Sequence, residues 1–182
     1  MARDVLIEFC ESNCEYFAKE DRVRLLVNLK NVPTLHMKIF EFNTENYYRK
    51  NLAPFRTDIN LDGLIASEEK VFRYDEVAPQ KKFREVFELE ELDNKVGLFI
   101  VELIGNGHSS RAVIKKGNLS LIHKSTMAGH AAYILDDKKN VCTGPKRGLW
   151  FDGQYFEADP EKGGRILIPF SKQEKSAKAI VM

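Results

Sequence analysis

Leu98-Phe99-Ile100-Val101-Glu102-Leu103-Ile104-Gly105-Asn106-Gly107-His108-Ser109-Ser110-Arg111-Ala112-Val113-Ile114 is the stretch that decides the fold. Its first seven residues are an apolar run broken only by Glu102, the pattern of a buried strand. Asn106-Gly107 then supplies the two positive φ angles of a type I′ turn, and Ser109 to Ile114 returns as a second strand. The reading is a β-hairpin, and a strand this apolar belongs at the centre of a sheet.

Moving outward, Arg22 to Leu29 places Val23, Leu25, Val27 and Leu29 on one face, with Arg22, Arg24, Leu26 and Asn28 on the other. That is the two-residue period of a half-buried strand. After Asn31-Val32-Pro33, where proline removes a ladder donor, Leu35, Met37 and Ile39 repeat the alternation, and the two segments are expected to be neighbouring strands of a meander. Lys116-Gly117-Asn118 turns into a strand from Leu119 to His123, and Asp152-Gly153 joins Leu149-Trp150-Phe151 to Gln154-Tyr155-Phe156. Helical character is confined to Thr44 to Leu52, opened by a Thr cap, and to a short segment from Ser67 to Arg73. The expected fold is mostly β: an antiparallel β-sandwich with a second small β module and few short helices. A boundary is expected near Lys124 to Gly129, giving a sandwich over residues 1–125 and a small β domain, or part of a next sandwich, over 126–182.

The 182 residues carry 28 Lys+Arg against 27 Asp+Glu, a net charge of +1, so no global field attracts nucleic acid or an anionic membrane. The composition, 43% hydrophobic and 30% charged, is that of a soluble globular chain long enough to bury a core without a disulfide or metal staple. No apolar run reaches the roughly 20 residues of a membrane span, and Met1-Ala2-Arg3-Asp4 opens no secretion signal. Lys178-Ala179-Ile180-Val181-Met182 reads as a strand, as expected in a segment of a longer protein. Cys10, Cys14 and Cys142 are an odd number, and they read as ordinary thiols.

Asp58-Ile59-Asn60-Leu61-Asp62-Gly63-Leu64-Ile65-Ala66-Ser67-Glu68-Glu69 is the most specific local pattern. Asp58, Asn60 and Asp62 fall at positions 1, 3 and 5 of a calcium loop, Gly63 at 6 and Glu69 at 12. Asp58, Asn60, Asp62 and Glu69 are therefore candidate calcium ligands. Against an EF-hand, Pro54 breaks any entering helix, and the alternative is an acidic turn whose Asp and Asn side chains cap their own backbone.

Other constellations are weaker. Gly105 to Arg111 lacks both the Gly-Lys-Ser ending of a phosphate loop and the Gly-x-Ser-x-Gly of a nucleophile elbow, so His108, Ser109 and Ser110 read as hairpin flank. His36, His108, His123 and His130 form no helical pair, and Glu88, Glu90 and Glu91 read as a solvated face. Trp150 and Tyr155, flanking one tight turn, are candidate binding residues, a flat platform if they face outward. No catalytic set emerges. The reading is a non-enzymatic scaffold or interaction module whose partners are proteins or neighbouring domains of the same chain, with a calcium-dependent protein- or glycan-binding module as the alternative.

Three phrases carry a resemblance: Glu41-Phe42-Asn43-Thr44-Glu45-Asn46-Tyr47-Tyr48-Arg49, Thr57 to Leu64, and Val101 to Gly107 with Ser109-Ser110-Arg111-Ala112. With the tail Gly148 to Asp159 and Arg165 to Phe170, the chain resembles large alpha-2-macroglobulin-like proteins. The resemblance implies a macroglobulin-type β-sandwich module followed by part of the next. The thioester sequence that defines that family's chemistry is missing around Cys10, Cys14 and Cys142, so protease trapping is not implied for this segment.

Overall fold

A computed structural model of the chain describes residues 4–51, 53–144, 146–170 and 179–181. Met1 to Arg3, the expected helix end Leu52, and Lys178 and Met182 lie outside them. Contacts divide the chain into two units, Met1–Thr44 with Phe55–Lys116 and Glu45–Pro54 with Gly117–Met182.

The first unit is a sandwich. One sheet orders β1 (Leu6–Phe9), β3 (Arg24–Lys30) and β6 (Phe83–Glu88). The other orders β2 (Tyr16–Phe17), β8 (His108–Lys116), β7 (Gly97–Gly105), β4 (Thr34–Phe42) and β5 (Glu68–Arg73). Asn106 at φ 47° and Gly107 at φ 77° close the β7–β8 hairpin, which sets the register Gly105↔His108 and, three pairs on, Glu102↔Arg111. Leu25, Val27 and Leu29 from one sheet meet Leu35, Met37, Ile39, Phe99, Val101 and Leu103 from the other. Each of these side chains is at most 1% exposed, and each contributes about 1.5–3 kcal/mol by leaving water.

Two expectations are corrected here. The strands β3 and β4 are not meander neighbours: β3 pairs with β1 and β6, and β4 with β5 and β7. Asn31 at φ 55° and the donor-less Pro33 turn the chain through a corner, so both apolar faces look into one core from opposite sheets. Ser67 to Arg73 is not helical, because Glu68–Arg73 is β5, paired in register with β4 from Thr34↔Arg73 to Ile39↔Glu68.

In the second unit one sheet orders β9 (Ser120–Thr126), β10 (Gly129–Leu135) and β13 (Ile166–Ile168), with β10 central. The other orders β11 (Gly148–Phe151), β12 (Gln154–Glu157) and β14 (Ala179–Val181), with β11 central. Its smaller core is Ala132, Ile134, Leu149, Ala158, Ile166 and Ile168. Asp152 at φ 48° and Gly153 at φ 78° make the expected β11–β12 turn. The expected boundary at Lys124 to Gly129 is instead the turn of the β9–β10 hairpin, Thr126↔Gly129 being its closing pair, and the contacts divide the chain earlier, between Lys116 and Gly117. Helix α1 (Thr44–Asn51) begins with Glu45 in its first turn and ends with Arg49 and Lys50, charges that suit the helix dipole. No helix among the described residues is long and apolar enough to cross a membrane.

Candidate functional site

The outward face of β7 carries Leu98, Ile100 and Glu102, all buried, which an open sheet face would not allow. The segment between α1 and β5 covers it. Phe55, 1% exposed, packs edge-on against Phe42 at 4.9 Å, and Leu61, 7% exposed, is the second anchor. The candidate calcium loop begins between these anchors at Asp58 and runs on past Leu61 to Glu69. The Asn60 side-chain oxygen accepts the Asp62 backbone N–H at 2.8 Å, and Leu64 N–H donates to the Leu61 carbonyl at 3.0 Å, with Gly63 at φ 79°. Asp58 and Asp62 point to solvent, while Glu69, on β5, pairs with Lys38 at 3.3 Å. Among the described residues no three His, Cys, Asp or Glu side chains gather as a metal set, so Asp58, Asp62 and Glu69 stand apart in this structure.

A cation of the chain itself holds the segment. Arg111 donates from Nε to Glu102 Oε1 at 2.8 Å and from Nη1 to the carbonyls of Ile59 at 3.0 Å and Thr57 at 3.5 Å. Glu102 keeps only 11% of its side chain exposed, and the guanidinium fork satisfies its carboxylate and the loop backbone together. The sequence carried a signal for this: counting back from Asn106-Gly107 pairs the one acid of an apolar strand with the one arginine of its partner.

A second interior charge, Lys116, is 1% exposed and donates from Nζ to the Leu92 carbonyl at 2.7 Å. Burial holds its amine below the ordinary lysine value, opposed by the charges of Asp93 and Asp21. Lys116 shares its strand face with Ile114, a core position where sequence reading did not look for a lysine.

The structure brings Trp150 and Tyr155 together as a cross-strand pair, ring centroids 5.4 Å apart at 43°. Their platform is not free. Arg49 lies over the Trp150 ring at 4.2 Å and is held there by Glu45 at 2.9 Å. Tyr155 sits over Gly148, where a Cβ would meet its ring. Burial, then the charges of Glu157 and Glu45, raises the Tyr155 hydroxyl above its ordinary value. Beside Tyr155 an open groove of about 360 Å³ is edged by Glu157, Lys162, Asp159 and Arg165, with Lys162 and Asp159 paired at 3.2 Å.

His108, Ser109 and Ser110 do not converge on a nucleophile. His108 Nδ1 lies 3.3 Å from the Asn106 carbonyl, and His108 and Ser109 are exposed. Ser125 Oγ contacts His130 Nδ1 at 3.2 Å, but that imidazole packs edge-on against Phe170 at 5.0 Å rather than against an orienting carboxylate. Of the three glutamates, Glu88 pairs with Arg24 at 3.1 Å and Glu91 with Lys70. Burial opposes ionisation of Glu91, and the Lys70 hydrogen bond and charge outweigh it, so its carboxyl sits below the ordinary value. Cys10, Cys14 and Cys142 are free thiols.

Residues 35–117, from the start of β4 to the end of the β7–β8 hairpin, match the family described as the AbpF first immunoglobulin-like domain. The sandwich of the first unit, which holds most of that stretch, is immunoglobulin-like in fold. Actin-binding protein F of Dictyostelium discoideum is 40% identical over 177 residues, which is 97% of this chain and 7% of that protein. Two crystal structures of native alpha-2-macroglobulin from Escherichia coli share the architecture at 11% identity. The one spanning domains MG0-NIE-MG1 gives a TM-score of 0.53 over 98% of this chain and 64% of its own, and the one spanning NIE-MG1 gives 0.51 over 100% and 99%. At that identity the likeness is one of fold, and the immunoglobulin-like reading extends the expected macroglobulin-type sandwich without making the chain an alpha-2-macroglobulin.

Proposed function

We propose that the chain is a non-catalytic immunoglobulin-like module that serves a larger actin-binding protein as scaffold and protein-interaction surface. The observation that carries this is the 40% identity to Actin-binding protein F along 97% of the chain, with the chain spanning only 7% of that protein. The arrangement of side chains agrees with such a role. Buried charges such as Glu102 and Lys116 are joined to arginine or to backbone within the sandwich, where they stabilise loops rather than await a substrate. Co-sedimentation with actin filaments tests the reading: the chain should pellet saturably with filaments and stay in solution without them. A chain that remains in the supernatant at every filament concentration overturns direct actin contact. A serine-directed covalent probe should leave Ser109 and Ser110 unlabelled, and stoichiometric labelling of the folded but not the unfolded chain would overturn the non-catalytic part.

A further inference from the structure

The β9 strand, seven residues from Ser120 to Thr126, pairs among the described residues with β10 alone and is exposed from Ile122 onward. Its hairpin loop is two residues, Met127-Ala128, so the closing pair Thr126↔Gly129 is a hydrogen-bonded one, and bonded pairs recur at Lys124↔Ala131, Ile122↔Tyr133 and Ser120↔Leu135. The backbone N–H and C=O groups of Leu121, His123 and Ser125 therefore point away from the sheet. On the outer face Ile122, 51% exposed, lies opposite Tyr133, and Leu167, 44% exposed, lies opposite Ala131, with Lys124 on the other side of Ala131. The three strands of this sheet contain no Asp or Glu, and they carry Lys124, His123 and His130.

We propose that the β9 edge is a strand-addition site for an extended segment of a partner protein, with an acidic side chain set beside Lys124 and an apolar one beside Ile122. The proposal rests on the reading of the chain as a protein-interaction module and names where a partner docks. Main-chain bonds to Leu121, His123 and Ser125 would supply affinity, and the Ile122–Lys124 row would supply selectivity, since side chains two apart share a face. Charge decides the occupant. An acidic strand complements an edge whose one charged residue is Lys124, beside His123, whereas a second copy added antiparallel would bring Lys124 and His123 of both chains to one edge.

The probe is a blocked peptide Glu-Thr-Val-Thr-Glu-Thr-Val, titrated into the full chain while backbone amide shifts are followed by NMR, with Lys-Thr-Val-Thr-Lys-Thr-Val as its charge-reversed counterpart. The acidic peptide should move the amides of Leu121, His123 and Ser125 saturably and bind about tenfold more tightly than its counterpart at low salt. His123→Pro removes an outward N–H without breaking a β10 bond and should abolish binding. Lys124→Glu, a surface change that leaves the fold intact, should reverse the preference between peptides. Shifts that are absent or spread away from β9, a preference unmoved by Lys124→Glu, or concentration-dependent dimerisation through β9 would each overturn the proposal. Filament co-sedimentation that persists while the peptides fail removes the edge site alone and leaves the module reading standing.

Discussion

The two units use the same alternating strands and treat their margins differently. In the first, the open side of the sandwich is closed by side chains: Phe72 meets Phe87 at 4.9 Å, Tyr74 meets Phe83 at 5.2 Å, and Lys70 pairs with Glu91. Its other edges, β2 and β1, are two and four residues long. In the second, a seven-residue edge stands exposed beside a sheet face carrying Ile122 and Leu167. A sheet margin left long and bare invites pairing, so natural proteins shorten or cover it unless the pairing is used. With β9 as the proposed docking edge, the contrast assigns stability to the first unit and recognition to the second.

The largest expected effect probes the core of the first unit. Phe99→Ala removes a ring that is 0% exposed and should cost about 3–5 kcal/mol in denaturant unfolding. Hydrogen exchange at Leu103 should quicken accordingly, while Ile134, in the separate core of the second unit, should keep its rate. Equal acceleration at both positions would break the comparison.

Next comes the segment over the outer sheet face. Arg111→Met keeps the aliphatic stem but leaves Glu102 without its guanidinium and the Ile59 carbonyl without its donor. A loss of about 2–3 kcal/mol is expected, reduced from the fully buried case because Arg111 is partly exposed. Limited proteolysis between Thr57 and Ala66 should rise before the remainder of the unit unfolds. Adding Glu102→Gln to Arg111→Met should restore part of the loss, since no buried charge is then left unpaired.

How legible these features were in the sequence depends on how local their causes are. The β7–β8 and β11–β12 hairpins were readable because Asn106-Gly107 and Asp152-Gly153 impose positive φ whatever surrounds them. That β3 and β4 are strands was readable from alternation, but which sheet each joins was not. That choice is made at the Asn31 to Pro33 corner by contacts distant in sequence. The β5 segment Glu-Glu-Lys-Val-Phe-Arg is too short and too charged to show a period, and its state is set by β4 alongside it. The Asp58 to Glu69 spacing was visible, but spacing carries no information about where Glu69 points once β5 enters a sheet. The β9 edge could not be seen because being an edge is a property of the finished sheet.

A smaller effect concerns acid. A carboxyl whose folded value lies below its unfolded one contributes stability that is complete above the unfolded value, about 4.3 for glutamate, and is lost as pH falls through the lower folded value. Glu91, held down by Lys70 against its own burial, is such a group in the first unit. Melting of the parent should therefore fall more steeply below about pH 4.3 than melting of Glu91→Gln, the two converging at the acid end. Parallel curves would show that the Lys70–Glu91 bridge contributes no stability to that margin.

The smallest expected effect is the response to calcium, which separates a loop that turns from a loop that binds. Three carboxylates brought within a few Å repel one another, and a hard cation that neutralised them would stabilise the fold. At about 100 times its dissociation constant such an ion would add roughly 2.7 kcal/mol, a visible shift in melting temperature. Here Asn60 already bonds the Asp62 backbone, Asp58 and Asp62 face water, and Glu69 is paired with Lys38 on a different element. Moving Glu69 into the loop would require leaving that pair and turning a residue of a strand that is in register with β4 from Thr34 to Ile39. Melting with millimolar calcium should therefore match melting in chelator, and Asp58→Ala and Asp62→Ala should respond alike. A calcium-dependent rise in the parent that both variants lose would show that the segment binds an ion, and would add a recognition surface to the unit credited here with stability.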